Sequence, residues 1–232
     1  SFINYTTAAL FGFAQIQREI AKDIYLGFNY NYLRFNTAFE NDFDLPLETK
    51  SNLHGFGAAL SLDKRNDVYY PTSGYQFNVN FTEFPKFLNK QEASKLEIDI
   101  DKYFGIGQKQ RDIIACRLYT GIGIGTLDFN QQFIVGGTDL RGYSQGAFRG
   151  DQVVAIQGEY RWNPIKKIGF IGFLGTAMIF NGINDNDNSK FLPGIGGGIR
   201  YLVFPKNHMN VGIDIGVGKD DWSFDFQIGE AF

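Results

Sequence analysis

Few residues of this chain could perform covalent chemistry or bind a transition metal. Its 232 residues include one cysteine, Cys116, and two histidines, His54 and His208, which are far apart in the sequence. A disulfide needs a second cysteine, a structural zinc site needs several Cys or His ligands, and a nucleophile needs a neighbouring base. Because the composition supplies none of these combinations, the sequence predicts a protein that is not an enzyme and holds no metal.

Two short segments resemble ligand loops but lack the residues that would complete one. The stretch from Gly194 to Gly198 is glycine-rich like a phosphate-binding loop, but it alternates like a strand and no helical pattern follows. Residues 184–189 carry side-chain oxygens at alternate positions, as a calcium loop does, but the closing glutamate is missing. Four carboxylates are spread over different predicted outer loops: Asp139, Asp151, Asp185 and Asp187. We therefore expect no cofactor.

Charge and hydropathy exclude two further classes of protein. The chain has 22 basic and 25 acidic residues and a net charge of −3, so it offers no excess of positive charge to attract a nucleic acid. No stretch approaches the ~18 uninterrupted apolar residues of a membrane helix. A membrane β-barrel stays open as a class, because its strands alternate apolar and polar residues and so have a modest mean hydropathy.

The elements that must position any site are strands with alternating side chains. From Met209 to Val217 the odd positions are apolar and the even ones are small or polar, and residues 222–229 alternate in the same way. A soluble sheet with one wet face would alternate too. However, several segments are about twice as long as the ~5 to 6 residues of a soluble strand. Aromatic residues also gather at segment ends, as at Tyr69 and Phe84, which favours a transmembrane antiparallel β-barrel over a soluble β-sandwich.

We predict eleven strands in this all-β chain: 5–17, 23–37, 53–63, 74–83, 94–104, 111–125, 152–162, 168–180, 193–204, 208–218 and 222–232. Short and long connections alternate, which assigns the short ones to the periplasm and the long ones to the outside. Bacterial barrels normally have an even number of strands, so we infer twelve, with one N-terminal strand missing or misread. Residues 1–232 are thus interpreted as one barrel domain, either a mature protein or a fragment, since no secretory signal begins at Ser1.

The end of the sequence resembles a targeting signal. Phe224, Phe226 and Ile228 alternate with polar residues, and the chain stops on Phe232. This pattern is similar to the C-terminal signal by which the assembly machinery of Gram-negative bacteria recognises outer-membrane proteins. A last strand of a soluble sheet is the simpler alternative, but a period-two aromatic strand that stops on Phe favours the membrane interpretation.

Two motifs give a more specific resemblance. One is a turn of the form D-x-R-(D/N)…(Y/F)-P-T-x-G, formed here by Asp63, Arg65, Pro71 and Gly74. The other is a loop of the form F-x-x-G-G-x-x-x-(V/L)-R-G-(F/Y), one residue shorter here, formed by Phe133, Gly136, Gly137, Leu140, Arg141, Gly142 and Tyr143. Over roughly residues 50–232 the chain resembles the bacterial surface antigen superfamily, which includes outer-membrane assembly factors and two-partner-secretion transporters.

The resemblance implies that the long extracellular loop, 126–151, folds back into the barrel lumen and that the first and last strands meet at a weak seam. The residues of the loop agree with this, because Leu140 and Tyr143 are apolar and flank Arg141. A loop in water would gain nothing from them, whereas long loops in compact folds are usually functional. The alternative is a mobile outer loop with a solvated arginine.

A guanidinium carried into the lumen needs a partner. Family members often place an inward aspartate two strands after the loop, but Gly175 stands at that position here. Inward-facing carboxylates remain at Glu159 and Asp214. We predict Glu159 as the first partner of Arg141, because its strand follows the loop directly, and Asp214 as the second.

The resulting hypothesis is a bacterial outer-membrane barrel that inserts or translocates polypeptides. Its expected partners are the lipid bilayer, the outer-membrane assembly machinery and a polypeptide client or a fused domain, with no nucleic acid. One alternative is a barrel that anchors or exports a fused N-terminal enzyme absent from this sequence. The other is a small diffusion pore, which would need an open lumen.

Overall fold

The structure is a computed structural model that describes residues 4–40, 48–107, 112–181 and 190–232. Within these ranges the chain forms thirteen strands and one 3₁₀ turn at Phe129–Gln131. The strands are β1 (Asn4–Ala21), β2 (Ile24–Glu40), β3 (Glu48–Asp63), β4 (Gly74–Phe84), β5 (Ala93–Ile106), β6 (Asp112–Gly125), β7 (Phe133–Val135), β8 (Phe148–Gly150), β9 (Gln152–Ile165), β10 (Ile168–Phe180), β11 (Lys190–Phe204), β12 (Met209–Gly218) and β13 (Asp221–Ile228). Among the described residues no helix is long and apolar enough to cross a membrane.

Eleven of these strands form the main sheet, in the order β1-β2-β3-β4-β5-β6-β9-β10-β11-β12-β13. The pairings of β1 with β2 and of β9 through β13 are antiparallel. Each predicted segment corresponds to one strand of this sheet, so the all-β class is confirmed. The described residues contain no twelfth strand in the main sheet, and that inference stays a prediction.

Two details of the predicted strand map were wrong. β7 and β8 form a separate two-stranded ladder inside the long loop, which the sequence did not indicate because each has only three residues. The last strand was predicted to reach residue 232 but ends at Ile228. Gly229 follows it with a φ of +85°, a left-handed conformation that ends the extended strand.

The chain divides into two compact units. The first contains Ser1–Ser61, Val79–Glu97 and Ile122–Gln132. Its interior is an apolar cluster of five buried side chains: Phe35, Leu53, Phe84, Ala93 and Leu127. Beside this cluster, the fully buried Thr37 hydroxyl lies 2.9 Å from the hydroxyl of Thr7 and donates to Asn130 Oδ1 at 3.0 Å. Apolar packing and neutral hydrogen bonds thus contribute to the interior of this unit.

The second unit contains Leu62–Asn78, Ile98–Gly121 and Phe133–Phe232, and its strands β9–β13 have two opposite faces. Successive side chains of a strand point to opposite sides. On one side of these strands the side chains are apolar and exposed. Ile213 is 45% exposed and Phe226 is 65% exposed. We call this the outer face, and the opposite, buried face the inner face. The inner face carries charged residues such as Asp214, which is 0% exposed.

Candidate functional site

The second half of the long loop is anchored on the inner face by apolar side chains. Five side chains of the loop are buried against β9, β10 and β11: Phe133, Val135, Leu140, Tyr143 and Phe148. These strands contribute small and branched residues: Val153, Ala155, Ala177, Ile179 and Leu192. The motif glycines Gly136 and Gly142 have φ values of +123° and +106°, which a side chain would strain. The loop is therefore packed like a protein core.

Arg141 lies at the centre of this packed loop and is 0% exposed. Its Nη2 lies 2.5 Å from Glu159 Oε2, and its Nη1 lies 2.7 Å from Asp214 Oδ2. Its main-chain N–H and its Nε also donate to Gln157 Oε1. The guanidinium stacks 3.7 Å from the centre of the Phe173 ring. The structure thus places Arg141 between the two carboxylates that the sequence nominated, and bonds it to both.

These ion pairs belong to a closed cycle. Glu159 Oε1 accepts from Arg161 Nε at 2.7 Å, and Arg161 Nε lies 3.7 Å from Glu230 Oε2. Glu230 Oε2 also accepts from Arg200 Nε at 3.2 Å, and Arg200 Nη1 and Nη2 donate to both oxygens of Asp214. We call this cycle the ion ring; its members are Arg141, Glu159, Arg161, Glu230, Arg200 and Asp214.

Positive and negative charges alternate around the ion ring, so each buried charge has partners of the opposite sign. Moving one such ion from water into a protein interior costs several kcal/mol, and removing a single partner leaves that cost without compensation. In the ring every arginine contacts two carboxylates and every carboxylate contacts two arginines. Each member thus shares its partners with two others, so we expect the contacts to be cooperative. Burial raises the pKa of the Glu230 carboxyl above its ordinary value.

Gly175, at the position of the family aspartate, makes room for the loop. A Cβ at this position would lie 2.7 Å from the carbonyl oxygen of Ile156 and 3.0 Å from Leu140 Cδ1. An aspartate there would collide with the loop as it is packed in this chain. Gly175 thus leaves room for Leu140, and Arg141 pairs with Glu159 and Asp214.

Glycines of β11 and β12 also leave room for the loop, because they have no side chain. A Cβ on Gly194 would lie 2.6 Å from the carbonyl oxygen of Arg141, and one on Gly216 would lie 2.6 Å from the main-chain nitrogen of Gly142. A Cβ on Gly218 would collide with the ring of Tyr143. The inner face is bare along this line, so the loop backbone lies directly on the strands.

Polar contacts outside the ion ring also fasten the loop. Tyr143 donates its hydroxyl to the carbonyl oxygen of Pro193 at 2.6 Å. The Gly142 N–H donates to Ser223 Oγ at 2.9 Å, and the Ser144 N–H donates to Asp221 Oδ2 at 2.7 Å. Both of these acceptors are on β13. The loop is therefore tied to the last strand of the sheet order.

The loop also carries a carboxylate, Asp139, that makes an ion pair with β6. Asp139 Oδ1 lies 3.0 Å from Arg117 Nη2 on β6, and the same nitrogen lies 2.7 Å from Asp99 Oδ2 on β5. The sequence had assigned Asp139 only to the outer carboxylates. Its neighbour two residues along, Arg141, points to the ion ring, so the motif is held from two sides.

The turn motif reaches the ion ring from another direction. Arg65 makes a bidentate ion pair with Asp63, at 3.0 and 2.7 Å, and Gly74 has a φ of +99°. The carbonyl oxygen of Pro71 accepts from Arg161 Nη1 at 3.4 Å. Ten residues separate β3 from β4 here, so this predicted tight turn is a longer, structured loop.

Tyr70 adds a second contact from this turn. Its hydroxyl oxygen accepts from Asn163 Nδ2 of β9 at 2.6 Å. Burial raises the pKa of the Tyr70 phenol to about 12, so the phenol keeps its proton at neutral pH. The turn is therefore fastened to β9 by neutral as well as charged groups.

The remaining nominated residues lie apart from the ion ring. Phe224, Phe226 and Ile228 are exposed on the outer face, whereas Phe232 is 9% exposed on the inner side. His54 Nδ1 lies 2.7 Å from the hydroxyl of Tyr30, and His208 Nδ1 lies 2.8 Å from Asp67 Oδ2. Cys116 is half-buried with a free thiol. Residues 184–189, including Asp185 and Asp187, lie outside the described residues, and within the described ranges no cluster of His, Cys, Asp or Glu could hold a metal.

Sequence reasoning missed three members of the ion ring. Arg161 and Arg200 were on the polar face of their predicted strands, so the alternation could have identified them. Glu230 could not be found in this way, because alternation along an unbroken strand would place it with Phe226 and Ile228 on the outer face. The turn at Gly229 brings it inside.

Comparisons with known proteins agree with this architecture. The model of the Omp85 superfamily domain matches residues 3–232. The chain is similar in structure to BamA from Haemophilus ducreyi lacking POTRA domains 1–3, with a TM-score of 0.73 and 11% identity, over 97% of this chain and 53% of that one. It is also similar to CdiB from Acinetobacter baumannii, with a TM-score of 0.66 and 18% identity, over 97% of this chain and 42% of that one.

The chain thus spans about half the length of these solved proteins. A search of curated proteins found no significant match. The family match confirms the prediction of a non-enzymatic domain. The match of the family model over nearly the whole chain confirms the resemblance seen in the two motifs: the chain belongs to the Omp85 superfamily of bacterial outer-membrane β-barrels.

Proposed function

We propose that residues 1–232 form a single outer-membrane barrel domain that inserts or translocates polypeptides, and that loop 126–151 is its internal working element. The observation that carries the proposal is the burial of Arg141 in the ion ring. A loop that merely covered the outer surface would not need six buried charges to hold it. Membership of the superfamily supports the same role.

The packed loop also argues against the diffusion pore. A pore needs a continuous water path, whereas the loop places Leu140, Arg141 and Tyr143 fully inside the second unit. The fused-enzyme anchor remains compatible with this packing, since an anchor also has no use for an open channel. What favours translocation over the anchor is that the loop is held by ions that can be solvated again, rather than by apolar contacts alone.

The outer face supports the proposed bilayer partner. Large apolar side chains on β9–β13 are exposed on one side only, which suits contact with lipid. We assign Phe224, Phe226 and Ile228 to the signal that the assembly machinery reads in the unfolded chain, together with Phe232.

Insertion can be tested with the protein reconstituted in liposomes and a urea-denatured eight-stranded outer-membrane barrel as the probe. We expect the protease-protected, folded fraction of the probe to form at least about tenfold faster than in empty liposomes, a barrier difference of about 1.4 kcal/mol. Arg141→Ala should remove most of this acceleration, whereas Asp112→Asn, which changes a carboxylate outside the ion ring, should keep it.

A second probe, an unfolded soluble polypeptide added outside, tests translocation by its protection within the liposomes. Failure of both probes to respond to the protein would reject the proposed function. In planar bilayers, large and steady openings of the unmodified protein would show a diffusion pore instead.

A further inference from the structure

The last four residues of the sequence, 229–232, lie beyond the end of β13 and turn away from the direction of the strand; we call this segment the tail. The Gly229 N–H donates to the carbonyl oxygen of Asn210 at 2.7 Å, and the chain then turns to the inner side. The side chain of Glu230 is 2% exposed and accepts from Asn210 Nδ2 at 2.7 Å. The main-chain oxygen of Phe232 accepts from Arg161 Nη2 at 2.8 Å.

The tail meets both arginine systems that hold the loop. Through Glu230 it contacts Arg161 and Arg200, the two arginines of the ion ring that do not belong to the loop. Through the ring of Phe232 it lies 6.0 Å from the guanidinium of Arg117, which binds the loop carboxylate Asp139.

The side chain of Phe232 has an apolar seat of its own. It is packed in a cluster with Tyr103, Ala115 and Ala231. The tail is therefore bound in the manner of a short peptide ligand, with a buried aromatic group, a bonded main-chain oxygen and a paired carboxylate.

We infer that the tail is an intramolecular ligand that positions the loop motif, with Glu230 and Phe232 as positioning residues for Arg141 and Asp139. With Glu230 in place, three arginines share three carboxylates. Without it, Arg161 and Arg200 each lose a carboxylate and compete with Arg141 for Glu159 and Asp214. Because Arg161 and Arg200 are fixed on strands whereas Arg141 is on a loop, the competition displaces the loop.

The inference rests on the loop that the proposed function uses, but its test needs no polypeptide client. The full chain carries Cys116→Ala and a spin label on Gln145→Cys, an exposed loop position, and is refolded in lipid vesicles. The readout is the mobile fraction of the label spectrum. Spectral mobility reports loop release directly, whereas a merely structural effect on the barrel would change the melting temperature and leave the spectrum of the folded fraction unchanged.

We expect Glu230→Gln to raise the mobile fraction at least about fivefold, because it removes one charge from a buried network. Glu230→Asp keeps the charge, so the increase in its mobile fraction should be at most half of the increase seen with Glu230→Gln. Phe232→Leu should mobilise the label less, since it keeps an apolar group in the seat. Asp112→Asn, a carboxylate away from the tail, should leave the spectrum unchanged.

The inference is overturned if Glu230→Gln leaves the label immobile while Asp214→Asn releases it. If Glu230→Gln fails to refold, the comparison of Glu230→Asp with Phe232→Leu decides, and two spectra identical to the unmodified chain would again overturn it. A released loop with undiminished insertion of the barrel probe would uphold the tail as a positioning ligand and reject the loop as the working element.

Discussion

The two halves of the long loop are held by different chemistry. The first half, 126–132, packs Leu127 in the apolar cluster of the first unit, and Asn130 accepts a hydrogen bond from the Thr37 hydroxyl. The second half, 133–150, carries Arg141 into the ion ring of the second unit. Neutral contacts of the first kind are worth about 1 kcal/mol each and can be lost one at a time. The second half is also packed by apolar side chains, but its ion pairs share their partners, so we expect those pairs to be lost together.

The largest test of this contrast is Asp214→Ala, which removes a carboxylate shared by Arg141 and Arg200. We expect the free energy of unfolding to fall by about 3–5 kcal/mol, because two buried guanidinium groups lose a partner. Urea titration of the refolded chain in lipid vesicles measures the change. Asp112→Ala is the matched control, and an equal loss in both variants would contradict a cooperative ring.

The next test addresses the neighbouring residue on the opposite face. Ile213→Arg should destabilise the inserted chain by about 2–4 kcal/mol, since it places a cation against lipid at the middle of β12. Ile213→Leu should be close to neutral in the same urea titration. If Ile213→Arg were tolerated as well as Ile213→Leu, the outer face would not contact lipid.

A smaller effect is expected where the loop lies on bare backbone. Gly175→Ala should cost about 1–3 kcal/mol, because the added methyl meets Leu140 and the carbonyl oxygen of Ile156. Gly172→Ala on the same strand is the control, since a Cβ there has nothing within 4 Å. Similar urea midpoints for the two variants would show that the loop seat is not tight.

The smallest effect should come from the neutral hydrogen bonds of the first half of the loop. Thr37→Val removes the hydroxyl that bridges Thr7 and Asn130, and we expect a loss of about 1 kcal/mol. Thr6→Val, at an exposed position of β1, should change the urea midpoint very little. A loss as large as that of Asp214→Ala would mean that the hydrogen bonds of the first half are as cooperative as the ion pairs of the second half.

Alternation along the strands was enough to predict the sheet and its polar face. Apolar residues at every second position of β9 and β12 indicate which side chains face inward, so Glu159 and Asp214 were placed inward from the sequence alone. The same signal covered Arg161 and Arg200, although the prediction did not use them. Periodicity works here because one face must meet lipid and the other must not.

Periodicity fails where the backbone leaves the strand. Alternation along an unbroken strand would place Glu230 and Phe232 on the outer face, because nothing in a two-residue period shows that Gly229 adopts a left-handed conformation. The contact of Leu140 with the space above Gly175 was equally hidden, since it joins a loop and a strand 35 positions apart. Such contacts depend on three-dimensional packing, to which a sequence period is blind.

The bare line of glycines on β11 and β12 constrains how this chain can evolve. A larger residue at position 218 would collide with the ring of Tyr143. A smaller residue at position 143 would leave a void unless Gly218 were replaced by a larger residue as well. Either order of change passes through a less stable intermediate. The strand glycines and the loop are therefore expected to be inherited as a unit, and an exchange of this loop between relatives should succeed only when its strands are exchanged with it.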